Sequence, residues 1–129
     1  MKKDIENLDD IKHLVDTFYA KVRENDLLKG IFNKVIQDSW SEHQEKMYSF
    51  WQTVLLKEHT YYGSPFVPHA KLPVQGEHFQ QWLQLFYKTL DENFSGNKTE
   101  EAKWRAAKMA EMFQYKIEFY RENPAKQIL

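Results

Sequence analysis

Residues 8–24 read LDDIKHLVDTFYAKVRE, and this stretch does most to decide the fold class of the chain. Its apolar side chains recur at steps of three and four residues, which places them on one face of an α-helix. The members of that face are Ile11, Leu14, Val15, Phe18, Tyr19 and Val22. We therefore predict a first helix from about Leu8 to Glu24, with this face turned toward a core.

The same helical period continues on the carboxyl side of this stretch. A shorter apolar piece runs from Leu27 to Ile36. A third helix is predicted to begin after Ser39, where Ser39-Trp40-Ser41-Glu42 has the pattern of a capping box. Residues 57–76 then interrupt the period with Gly and Pro, while their aromatic and apolar side chains argue against disorder. We expect an ordered, irregular segment there.

Two more helices follow the irregular segment. The apolar positions of the first run from Phe79 to Phe94, and the last helix is predicted to start near Asn97 or Thr99 and to end at Pro124. The complete pattern is typical of an all-α protein with four substantial helices.

Composition and charge exclude several classes of protein. A length of 129 residues fits one domain over 1–129, with its core at about 8–122. The net charge of −1 gives no electrostatic basis for binding nucleic acid or an anionic membrane surface. The absence of cysteine excludes disulfides and iron–sulfur clusters. No apolar run is long enough to span a membrane and the amino end lacks a signal-peptide pattern, so we expect a cytoplasmic protein.

The chain contains five histidines, and their spacing matches no common metal motif. They are His13, His43, His59, His69 and His78. None belongs to a His-Glu-x-x-His zinc helix or to a Glu-x-x-His pair of a di-iron bundle. A Gly-rich phosphate loop and a nucleophile elbow are also missing from the sequence, so hydrolases and phosphotransferases have no support.

Two of the histidines could face each other across a pocket. His43 lies on the apolar face of the third helix, where a histidine is usually a satisfied core or boundary residue. His69 lies in the irregular segment, where a histidine is usually solvated. A haem iron needs a neutral imidazole on one side and controlled polarity on the other, so the pair also fits a haem site. The residues alone leave both interpretations open.

Taken alone, the aromatic content of 16% favours a plain aromatic core over the walls of a pocket for a flat cofactor, and the second interpretation stays open. Three of the pocket candidates, Tyr19, His43 and Trp82, have polar tips that could form hydrogen bonds with a diatomic ligand. The apolar wall candidates are Phe18, Phe32, Phe50, Trp51, Trp82 and Phe86.

In order and spacing, several short motifs together resemble the group III, or P, branch of the truncated haemoglobins. They are Phe18-Tyr19-x-x-Val22-Arg23, Ile31-Phe32-Asn33, Trp40-x-x-His43-x-x-Lys46, Phe50-Trp51, Pro68-His69-x-x-Leu72-Pro73 and Phe79-x-x-Trp82-Leu83-x-Leu85-Phe86. The resemblance covers the chain from about Ile11 to Tyr120. It implies a globin-like fold, shortened to a two-over-two helical sandwich, with haem b (iron protoporphyrin IX) as cofactor.

The resemblance also implies roles for individual residues. His69 would be the proximal ligand, the protein group that binds the haem iron. Tyr19, His43 and Trp82 would form the distal polar set on the opposite side, with His43 as a gate. The remaining haem-binding residues implied are Phe32, Lys46, Met47, Phe50, Leu72 and Phe86, with Lys46 reaching a haem propionate. His78 is expected at the surface.

The implied function is reversible binding of O2 and other diatomic ligands at the haem iron, with slow release of O2. One alternative is redox chemistry at the same haem, either NO dioxygenation or peroxide reduction, with a separate electron-donating reductase as partner. Another is a globin-like domain that has lost haem and serves as an interaction module. In the first two cases the small ligands would be O2, NO, CO or peroxide.

Overall fold

The computed structural model describes residues 2–70 and 72–123, which form five α-helices and no strand. The helices are α1 (Leu8–Glu24), α2 (Lys29–Ile36), α3 (Trp40–Leu56), α4 (Gly76–Asn93) and α5 (Asn97–Glu122). The all-α prediction is confirmed, and the bounds predicted for α1 agree with those observed. The predicted stop at Pro124 lies outside the described residues. Within them, no helix is both long enough and apolar enough to cross a membrane.

The helices pack as two pairs, which gives the predicted two-over-two sandwich. α1 packs against α3, α4 packs against α5, and α1 also crosses α4 and so joins the pairs. The predicted inner face of α1 is fully buried at this crossing, together with Phe86 and Leu90 of α4. Each large side chain buried in this way contributes about 1.5–3 kcal/mol relative to exposure, so the crossing of α1 and α4 anchors the fold.

Of the two long helices in the first half of the chain, α1 begins with a side-chain cap and α3 does not. α1 begins with a capping box in which the Asn7 side chain accepts from the Asp10 amide and the Asp10 carboxylate accepts from the Asn7 amide. The box predicted at Ser39 is wrong, because the Ser39 side chain makes no capping hydrogen bond. Its backbone has φ −97° and ψ 26°, whereas a capping serine needs an extended backbone to reach the first amides of the helix.

The irregular segment between α3 and α4 packs on the carboxyl half of α5. Phe66 and Val74 are buried there against Phe113 and Ile117 in a second hydrophobic cluster. Residues 67–69 form one turn of 3₁₀-helix within the segment. This packing fixes the position of His69 relative to the helices.

Candidate functional site

A cavity of about 230 Å³ opens between the two helix pairs and is lined by side chains of all five helices and of the irregular segment. Nine of the ten residues predicted for the site line it. They are Tyr19, Phe32, His43, Lys46, Met47, Phe50, His69, Leu72 and Trp82. The structure thus brings into one cavity residues that are up to 63 positions apart in the sequence, from Tyr19 to Trp82.

His69 is a largely buried residue that is oriented by a single hydrogen bond. Its Nδ1 lies 2.6 Å from the carbonyl oxygen of Pro65. A carbonyl only accepts, so Nδ1 carries the proton and donates, and Nε2 keeps the free lone pair. Burial lowers the pKa of His69, which favours the neutral ring. Its ring also packs on Phe113, with centroids 4.9 Å apart. A neutral, oriented imidazole with a free Nε2 is the form that binds a metal ion.

His43 lines the same cavity but lacks such an orienting bond. Its Nε2 is buried and has no hydrogen-bond partner among the described residues. Burial lowers the pKa of His43 to about 4, and the positive charges that His69 and Lys46 can carry act in the same direction. His43 is therefore neutral at physiological pH, and its ring packs edge-on against Tyr19 at a centroid distance of 5.0 Å. An unpartnered buried nitrogen points to a ligand that supplies the missing bond.

The other two members of the predicted distal set stand on different helices. Tyr19 of α1 is 5% exposed, and burial raises the pKa of its hydroxyl, which keeps that group a neutral donor. Trp82 of α4 contacts Phe18 edge-on at 5.5 Å. Phe32 of α2 packs near Tyr19 and stacks on Trp40, with centroid distances of 6.2 and 6.5 Å. These aromatic contacts hold the polar tips in a water-poor environment.

Phe86 is the one predicted site residue that does not line the cavity. It is 1% exposed and lies behind the wall, stacked against Trp51 at 5.0 Å and against Trp82 at 5.5 Å. Trp51 and Trp82 are the side chains that form the wall at this point. In this structure Phe86 supports the wall and does not itself face the cavity.

Several lining residues were not predicted from the sequence. Tyr61, Phe79 and Phe113 lie on the cavity, as does His78, which was expected at the surface. His78 is half-buried, and its Nδ1 accepts a hydrogen bond from the backbone amide of Gln75 at 2.8 Å. Phe79 belonged to the recognised motif, and its spacing of three residues from Trp82 places both on one helix face. No comparable spacing in the sequence marks Tyr61 or His78.

The ionisable side chains on the cavity wall all come from neutral or cationic residue types. They are Tyr19, His43, Lys46, Tyr61, His69 and His78. No Asp or Glu within residues 2–70 and 72–123 lines the cavity. The rest of the wall is aromatic or aliphatic. Such a wall fits a flat, apolar ligand that carries negative charge at its edge.

Comparison with known proteins supports this description. A family model described as bacterial-like globin matches residues 5–116. Over 118 residues the chain is 36% identical to the group 3 truncated hemoglobin ctb of Campylobacter jejuni, covering 88% of this chain and 93% of that protein. A crystal structure of the group III truncated hemoglobin from Campylobacter jejuni matches with a TM-score of 0.82, covering 91% of this chain and 95% of the other. The residues matched by the family model, 5–116, contain α1 to α4 and most of α5.

Proposed function

The chain belongs to the bacterial-like globins, as its resemblance to group III truncated haemoglobins predicted, and we propose from this that it binds haem b in the cavity described above and holds the iron through Nε2 of His69. Its function would then be reversible binding of O2 and other small diatomic ligands. We also propose that the protein works in the cytoplasm, as expected from the sequence.

The observation that carries this proposal is the hydrogen bond from Nδ1 of His69 to the carbonyl of Pro65. A histidine that binds a metal usually donates its second ring N–H to a carbonyl or carboxylate, which fixes the tautomer and the ring plane and makes the ligating nitrogen more basic. His69 has such a partner in the carbonyl of Pro65. Its placement on the cavity wall therefore favours a ligand role over that of a solvated loop histidine.

The opposite wall supplies hydrogen bonds to whatever small ligand enters. When bound, haem supplies an iron atom with one open coordination position. Tyr19 can donate its hydroxyl proton into the cavity, and Trp82 its indole proton. A donor that meets a partly charged acceptor contributes about 1.5–3 kcal/mol. The aromatic residues around both donors exclude water and preserve this contribution.

The free Nε2 of His43 supports a third distal role. A buried polar atom without a partner costs about 1–3 kcal/mol. A ligand or water that binds beside this nitrogen removes that cost, so His43 can respond to the occupancy of the cavity. This property favours His43 as a mobile gate over a second, permanent iron ligand.

The proposal is tested by titrating the purified protein with hemin and recording ferric, ferrous and CO-bound absorption spectra. We expect uptake of one hemin per chain, a ferrous form in which one histidine binds the iron, and a CO adduct. Failure to take up hemin in a one-to-one ratio would refute the proposal and favour an interaction module without haem. Turnover of NO or peroxide with a reductant, faster than by free haem, would instead favour the redox enzyme.

A further inference from the structure

The last helix, α5, carries large apolar side chains on two opposite faces. The buried face packs into the domain through Ala102, Ala106, Ala110, Phe113 and Ile117. On the opposite face, four large apolar side chains are between 39% and 70% exposed: Trp104, Met112, Tyr115 and Phe119. They are four of the seven exposed large hydrophobic residues in the described part of the chain. Such a concentration of exposed apolar side chains indicates an interaction surface.

We propose that this face is an interface between two copies of the chain, whose α5 helices pack antiparallel about a twofold axis between Glu111 and Met112. The surface is called the α5 stripe here and consists of the eight exposed residues from 104 to 119. They are Trp104, Arg105, Lys108, Glu111, Met112, Tyr115, Glu118 and Phe119. Steps of three and four residues place them on one side of the helix, as in helices that pair along their length.

The order of the side chains along the α5 stripe is self-complementary. In a twofold interface, residue i of one copy meets residue j of the other, and j meets i. Antiparallel helices therefore pair each stripe residue with the one equally far on the other side of the axis. The four pairs are Trp104 with Phe119, Arg105 with Glu118, Lys108 with Tyr115 and Glu111 with Met112. They join two aromatic rings, two opposite charges, a cation with an aromatic ring, and a carboxylate with a thioether, so no pair joins like charges.

The charges on the α5 stripe disfavour a parallel arrangement of the same helices. About a parallel twofold axis each residue meets its own copy, so that Lys108 meets Lys108 and Glu111 meets Glu111. Like charges brought together in this way oppose association. In the antiparallel arrangement only Glu111 approaches its own copy near the axis, and the Lys108 ammonium of the same helix lies 3.9 Å from its carboxylate. The order of charges thus favours a second copy of the chain, in the antiparallel orientation, as the occupant of the stripe.

The surface beside the α5 stripe has room for side chains of the second copy. An open groove of about 370 Å³ between α4 and α5 is bordered by Glu111, Tyr115 and Glu118 of the stripe. Antiparallel pairing brings Met112 of the second copy to the edge of this groove, and an unbranched thioether side chain adapts well to an irregular gap. No residue of the stripe lines the cavity proposed for haem. The dimer is therefore an inference separate from the proposed function.

The test is sedimentation velocity of the purified full chain over a range of protein concentrations. The variants are Trp104→Ala, Arg105→Glu, Glu118→Arg and the double variant that carries both charge reversals. Tyr62→Ala is the matched control, because it removes an aromatic side chain that is 76% exposed and lies outside α5. Thermal melts followed by circular dichroism establish that each variant is folded.

A single helix from each copy makes a small interface compared with about 800 Å² per partner in a standard complex, so we expect a weak, reversible dimer. Trp104→Ala should lower the association constant at least about tenfold, as for an aromatic residue that anchors an interface. Each single charge reversal should lower it about fivefold, because like charges then meet at two symmetric positions. The double variant should return to within about twofold of wild type, since its Arg–Glu pairs form again with the positions exchanged. Tyr62→Ala should leave the association constant unchanged.

Three results would overturn the inference. A wild type that stays monomeric at every concentration would leave the α5 stripe to a different partner. A dimer that Trp104→Ala does not weaken would have to use another face. Single charge reversals that weaken the dimer without restoration in the double variant would exclude the antiparallel pairing. Hemin uptake should be the same in all these variants, so the outcome for the dimer and the outcome for the proposed function remain distinguishable.

Discussion

The two sides of the cavity are built differently, and the contrast is clearest at their histidines. On the side that we propose as proximal, His69 lies in the irregular segment and its Nδ1 donates to the Pro65 carbonyl. On the side that we propose as distal, His43 lies in α3 and its Nε2 has no partner among the described residues. Both rings are neutral, because burial lowers both pKa values. The ring of His69 is thus oriented by a hydrogen bond within the protein, whereas Nε2 of His43 remains free to bond to a ligand.

The backbone explains this difference. Inside a helix the carbonyl oxygens accept the amide four residues on, so they are already engaged and rarely orient a nearby ring. The segment between α3 and α4 leaves the Pro65 carbonyl free to accept from His69. A regular helix at this position would engage the carbonyl that orients His69, so the irregular course of this segment supports the role that we propose for His69.

The largest expected effect comes from removing the proximal histidine. In His69→Ala we expect hemin to be lost at least about a hundredfold faster than in wild type, since partners of a ligand alone contribute 10–100-fold in metal-site affinity. The measurement is transfer of hemin to a scavenger, followed by absorption. Added imidazole should restore part of the lost spectrum by occupying the space of the missing ring.

His13→Ala serves as the control for that variant, because His13 is an exposed histidine outside the cavity, with its Nε2 2.9 Å from Asn93 and its ring edge-on to Phe94. Its hemin loss should equal that of wild type. A normal ferrous spectrum with a histidine-bound iron in His69→Ala would show that another residue, such as His43, is the true ligand. The proximal and distal assignments of the two sides would then have to be exchanged.

The next largest effect tests the distal donors. Tyr19→Phe combined with Trp82→Phe should accelerate O2 release by tenfold or more, because each charge-assisted hydrogen bond contributes about 1.5–3 kcal/mol. The rate is measured by stopped-flow mixing of the oxygenated protein with dithionite. Hemin retention should change far less, since both substitutions leave the proximal side intact. An unchanged O2 release rate would exclude these two residues as the donors.

The helices could be predicted from the sequence far better than the contacts within the site. The period of three and four residues in α1 predicts both its bounds and its buried face. A helix that buries one face against a core must place apolar side chains at that spacing. His69 could be nominated only through its family resemblance, since its orientation depends on a carbonyl four residues away in a segment without a period. The sequence around His78 does not indicate that it lines the cavity, because that position depends on how the separate elements pack together.

A third prediction concerns the free nitrogen of His43. Replacing His43 by Leu removes a buried unpartnered group, so the haem-free protein should gain about 1–3 kcal/mol in the free energy of unfolding at pH 7. The folded pKa of about 4 lies below the ordinary value of 6.5, so the unfolded chain binds more protons between these values. Wild-type stability should therefore fall as the pH drops from about 6.5 toward 4, and part of this dependence should disappear in the variant.

Urea unfolding of the haem-free protein at several pH values provides the measurement. His43 accounts for a slope of at most about 1.4 kcal/mol per pH unit, and this slope is the amount that His43→Leu should remove. The pKa of His69 is also lowered, so a weaker dependence should remain in the variant. A variant less stable than wild type would show that His43 has a partner in solution and would weaken the contrast between the two sides.

The smallest expected effect concerns the hydrogen bonds that hold the end of the irregular segment against α5. The Arg121 guanidinium donates from Nη2 to the carbonyls of Leu72 and Val74, at 2.9 and 2.8 Å, and so ties the end of the segment to α5. The guanidinium is exposed, so Arg121→Ala should accelerate hemin loss only about threefold and shift the iron–histidine vibration slightly. O2 release should stay unchanged, because the distal donors stand on α1 and α4. Arg105→Ala is the control, because it removes a bond to Glu101 at 3.4 Å and a contact with the exposed Trp104 ring, both within α5. A change in O2 release without a change in the vibration would mean that the two sides are coupled through α5 and not built independently.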